Sequence, residues 1–127
     1  MNIFKNPEWL LRIAISGEFL GHGVFALGIK QGWIPYFTSL GLTEGFAATA
    51  LPLIGVMDII VAILILVRPY KFVIGWAALW GFWTAILRPL AGSPVWDFIE
   101  RFANFGAPLA LLALKGFPKS FKEWFKY

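Results

Sequence analysis

Phe46-Ala-Ala-Thr-Ala-Leu-Pro-Leu-Ile-Gly-Val-Met-Asp-Ile-Ile-Val-Ala-Ile-Leu-Ile-Leu-Val67 carries a single charge, Asp58, near its middle. At 1.5 Å of rise per residue, about 20 helical residues match a hydrocarbon layer of about 30 Å. A membrane strand would need lipid-facing and lumen-facing residues in alternation, and this run has none. It predicts a membrane-spanning helix. Working outward, Trp9–Ile29 precedes it, and Lys71–Arg88 and Val95–Leu114 follow as runs of the same kind. Four strands could not close a barrel, so the expected fold is all-α: one membrane domain, residues 1–127, with four transmembrane helices.

Composition points the same way. The chain is 59% hydrophobic and 14% charged, against about 45–50% apolar and about 25% charged in soluble domains. The net charge of +4 does not indicate nucleic acid, because the basic residues sit at the ends of apolar runs and form no basic face. There is no cysteine, which excludes disulfides, thiolate metal sites and cysteine nucleophiles. The first run carries Arg12, Glu18 and His22, unlike the short uncharged core of a cleaved signal peptide.

Lys5, Arg12, Arg68, Lys71, Lys115, Lys119, Lys122 and Lys126 flank one side of the four runs, and only Lys30 and Arg88 flank the other. By the positive-inside rule both termini are expected in the cytoplasm. The basic aromatic tail, residues 116–127, is expected along the inner membrane surface. The loop from Lys30 to Glu44 contains Trp33, Tyr36 and Phe37 and is expected to form a short interfacial lid. Ser93 is the expected N-cap of the fourth helix, with Pro94 and Asp97 in its first turn.

A charge in a bilayer core costs at least about 3 kcal/mol, so such residues face the bundle interior and find partners. Glu18 and His22 share a face of the first helix, and Asp58 lies in the second. Thr84 and Arg88 follow Trp76 and Trp80 along the third; Asp97, Glu100, Arg101 and Asn104 form one stripe on the fourth. Arg88 and Asp97 are expected at the surface, His22, Glu100 and Arg101 one to two turns deep, and Glu18, Asp58 and Asn104 near the midplane. The result is a funnel above a sealed apolar floor at 62–66 and 109–114. Three acids (Glu18, Asp58, Glu100) face two arginines (Arg88, Arg101), so one proton is expected to stay in the site.

Gly17-x-x-x-Gly21 is expected to be a close helix contact. Pro108 frees the carbonyl of Asn104, which is expected to add an acceptor to the cluster. His22 has no second His or Cys beside it, so neither a metal site nor a haem is expected. An Asp58–arginine ion pair that only locks the bundle is an equal alternative to a functional one.

The chain resembles the DoxX-like membrane proteins. The resemblance rests on Arg12 to Gly28 with its Gly-His-Gly, on Leu51-Pro-Leu-Ile-Gly-Val-Met-Asp58 and Arg68-Pro69, and on Trp83-Thr-Ala-Ile-Leu-Arg-Pro-Leu-Ala-Gly92 followed by Trp96 to Asn104 and Pro108. It implies a four-helix membrane protein related to subunits of membrane redox systems, with polar residues at Glu18, His22, Asp58, Arg88, Glu100, Arg101 and Asn104.

The function expected is a multi-pass subunit of the bacterial cytoplasmic membrane that binds a quinone or small anion. Glu18, His22 and Asp58 would handle protons. Arg88, Glu100, Arg101, Asn104, Thr84 and Trp80 would hold the ligand, with Trp76 and Trp80 offering ring faces. Expected partners are the bilayer and other membrane subunits or further copies of the chain. The alternatives are a non-catalytic accessory subunit and a small transporter.

Overall fold

Asn6 starts the first helix by accepting the Trp9 N–H on its side chain at 3.3 Å, and Pro7 fills the first turn, where its missing N–H has no consequence. The computed structural model describes residues 2–127, which form helices and turns with no strand among them. The helices are α1 (Pro7–Leu27), α2 (Ile34–Thr38), α3 (Glu44–Val67), α4 (Lys71–Leu90), α5 (Trp96–Ile99) and α6 (Phe102–Lys115). Among the described residues, α1, α3 and α4 are long and apolar enough to cross a membrane.

The expected continuous fourth helix is interrupted. Between α5 and α6 the Arg101 N–H bonds to the Phe98 carbonyl, tightening the turn and releasing the Asp97 carbonyl. The Arg101 guanidinium takes that carbonyl at 3.0 Å. Ser93 does not cap this region: α5 follows Val95 with no side-chain cap, although Asp97 does lie in its first turn.

α1 packs along α3 and α4 along α6, with α1 also touching α6. Glycines set the closest approaches. A Cβ on Gly55 would come 2.7 Å from the Gly23 carbonyl oxygen, and one on Gly81 would collide with the Asn104 carbonyl. Pro108 is the reason that carbonyl has no helical N–H; it lies against the Gly81 backbone and is not turned toward a polar cluster. Gly17 and Gly21, the expected contact pair, are exposed, with nothing near the position of an added Cβ.

All four longer helices bring one end to the side of the bundle where the termini lie. Here Ile15, Phe19, Ile65, Ile74, Leu111 and Leu112 form a buried apolar core. Beneath it Arg12, expected only as a flanking charge, is 7% exposed. Its Nε donates to the Ile65 carbonyl at 2.9 Å and its Nη2 to the Leu66 carbonyl, covering orphan acceptors at the end of α3. Glu8 joins Arg12 at 3.4 Å and Lys115 of α6 at 3.1 Å. The tail folds back on α4: the Lys71 N–H donates to the Lys126 carbonyl at 2.8 Å, and the Trp124 ring covers Gly75.

Candidate functional site

The opposite end of the bundle, where residues 28–43 and 91–95 connect the helices, is hollow. A cavity of about 260 Å³ opens there. α1 contributes His22; α3 contributes Leu51, Ile54 and Asp58; α4 contributes Trp80, Trp83, Thr84, Leu87 and Arg88. Trp33, Tyr36, Phe37, Leu40 and Leu42 roof it, so the expected lid is present and its aromatic residues turn into the cavity.

The lid is placed by local chemistry. The first α1 turn to be released ends at Ile29, which takes the left-handed region at φ 53° and swings the chain over the bundle. Pro35 starts α2, and the Thr43 hydroxyl accepts the Phe46 N–H at 3.0 Å to start α3. The His22 ring meets the Trp33 ring edge-on, with centroids 5.8 Å apart.

Among the described residues, two side chains of the cavity wall each hold one buried atom without a hydrogen bond. Asp58 is 2% exposed and its Oδ1 has no hydrogen bond; Arg88 is 8% exposed and its Nε has none. The Gly23–Gly55 crossing holds Asp58 in place, since a Cβ on Gly23 would come 3.2 Å from the Asp58 Cβ. Arg88, expected at the surface, is buried because the Tyr36 ring covers its guanidinium, 4.4 Å from the centroid. The two do not form an ion pair; among the described residues the ion pairs are Arg12–Glu8, Arg101–Glu100 and Lys115–Glu8. An unsatisfied buried polar atom costs about 1–3 kcal/mol, so both groups are held ready at a cost to the fold.

Other predicted site residues are distributed differently. Glu18 lies within electrostatic range of Asp58 but does not line the cavity. Glu100 is exposed and bonds Arg101 at 2.6 Å, so both leave the charge count of the cavity. Of the five charges in the expected count, Asp58 and Arg88 line this cavity. Asn104 packs against Gly81 and also lies off the cavity wall. The stripe fails because its spacing assumes an unbroken helix, and the turn at Glu100–Arg101 rotates one half against the other. Trp76 is no free ring platform: it stacks on Trp80 at 5.7 Å and its Nε1 donates to Met57 Sδ at 3.1 Å. Trp80 does face the cavity.

The sequence reading missed Leu51, Ile54 and Leu87 as walls, for which no signal separated them from other apolar residues. Among the described residues no three His, Cys, Asp or Glu side chains gather to hold a metal ion. Set against protein-family models, curated proteins and solved structures, the chain matches none of them.

Proposed function

We propose that the chain is a DoxX-like subunit of a membrane redox system that holds a quinone-like ring in this cavity. The observation that carries the reading is that Asp58 and Arg88, each with a buried atom lacking a hydrogen bond, line a cavity whose other walls are mainly apolar and aromatic. A flat ring with oxygen at its edge suits that combination: Trp80, Trp83, Trp33 and Tyr36 provide faces, Arg88 donates to a carbonyl oxygen, and Asp58 accepts a hydroxyl of the reduced form. Glu18, within electrostatic range of Asp58, is the acid to which a proton would pass.

In this reading the chain crosses the bilayer four times. Trp96 to Lys115, turn included, is long enough at about 1.5 Å per residue for the fourth pass. Both termini are cytoplasmic, because the lysines and arginines gather at that end, and the cavity opens to the outer side of the bacterial cytoplasmic membrane.

The test is extraction of small molecules from the mildly purified protein, followed by mass spectrometry. The wild type retains a quinone and Arg88→Met loses it. Equal retention, or no ring compound in either, contradicts the proposal and leaves the accessory-subunit reading.

A further inference from the structure

Beside the cavity lies a second, more open chamber of about 280 Å³, lined by His22, Phe25, Lys30, Gly32, Trp33, Tyr36, Arg88 and Arg101. Its charged lining is entirely cationic. Lys30, Arg88 and Arg101 come from three separate parts of the chain, and all three lie within electrostatic range of the His22 ring. Like charges this close repel, and an ordinary surface would intersperse acids among them.

The nearby acids do not face in. Glu100 holds Arg101 Nη1 from the exposed side at 2.6 Å, and Asp97 acts on Arg88 from outside the lining. Among the described residues Lys30 has no carboxylate partner; its ammonium lies over the Phe25 and Trp33 rings, 4.7 and 5.0 Å from their centroids. Arg88, at the inner wall, is 8% exposed; the Tyr36 ring covers its guanidinium and its Nε makes no hydrogen bond.

We infer that this chamber binds an oxoanion of the phosphate type, with Lys30 and Arg101 at its mouth and Arg88 at its base. Guanidinium groups suit such an anion because their planar N–H forks match its oxygens. The anion is either a free ion or the head group of an acidic lipid; both present the same oxygens. This inference draws on Arg88, which the ring reading also uses, and otherwise rests on Lys30 and Arg101, which do not line the neighbouring cavity. It does tie the two chambers together, because His22, Trp33, Tyr36 and Arg88 line both.

The test is a fluorescence titration in a neutral maltoside detergent, in which the part of the tryptophan response that is lost in Trp33→Phe reports on the chamber. Inorganic phosphate is one probe; dihexanoyl phosphatidylglycerol, with zwitterionic dihexanoyl phosphatidylcholine as its control, is the other. A saturable response to phosphate assigns a free anion, and a response to phosphatidylglycerol alone assigns a lipid head group. In either case Lys30→Gln with Arg101→Gln weakens binding at least tenfold, whereas Lys30→Arg retains it. Lys30 is exposed, so Lys30→Gln alone, with a loss of about threefold, separates lost binding from lost folding. No saturable response to either probe, equal response to both lipids, or unchanged affinity in the double variant overturns the inference. A quinone retained by the Lys30→Gln, Arg101→Gln protein shows that the two chambers fail or stand separately.

Discussion

The two ends of this bundle treat buried charge in opposite ways. At the end that carries the termini, Arg12 is buried and fully occupied: two carbonyls of α3, Glu8, and the Trp9 ring 3.9 Å from its guanidinium carbon. At the loop end, Asp58 and Arg88 are similarly buried and line a cavity, yet each keeps a buried atom without a hydrogen bond. The first arrangement ties three helices together. The second costs the fold stability locally, and in the proposed reading it leaves those groups for a ligand.

The contrast can be broken by substitution at each end. The largest effect is expected for Arg12→Leu, which strips the end of α3 of its donors and leaves Glu8 with Lys115 alone. Breaking a buried charge network costs about 3–5 kcal/mol, and thermal unfolding in detergent should show a large fall in Tm. Gly55→Ala comes next, because its added Cβ meets the Gly23 carbonyl and the Leu27 N–H across a backbone crossing that cannot yield cheaply. Overpacking of this kind costs about 1–3 kcal/mol; Gly21→Ala, on an open face, should leave Tm unchanged in the same assay.

Asp58→Leu should have a smaller effect on stability than Arg12→Leu or Gly55→Ala, and with the opposite sign. Removing an unsatisfied buried carboxylate, with an adjoining cavity to admit the larger side chain, should raise stability by about 1 kcal/mol. A fall in Tm comparable to that of Arg12→Leu would place Asp58 among the structural groups and erase the difference between the ends.

How far the sequence foretold each end follows from what its patterns assume. The run around Asp58 gave a helix at Glu44–Val67, and the runs on either side gave α1 and α4, because length and apolarity alone decide such elements. The aromatic residues of the loop were legible as a lid because Trp33, Tyr36 and Phe37 have too much apolar area to leave in water. The stripe Asp97, Glu100, Arg101 and Asn104 misled, since spacing on a helix has meaning only while the helix continues. Arg12 was read from its position at the end of a run, while its role depends on where α3 ends, 53 residues further along at the Ile65 carbonyl. The i, i+4 spacing of Glu8 and Arg12 was the one local signal of that network.

The most direct test of the central claim is the ligand dependence of Tm. A decyl-tailed benzoquinone, titrated into the wild type, should raise Tm in proportion to the logarithm of its concentration, as any ligand of the folded state does. Asp58→Leu should begin at a higher Tm and show no further rise. A variant that starts lower than the wild type, or that responds to the quinone as strongly, would contradict the account.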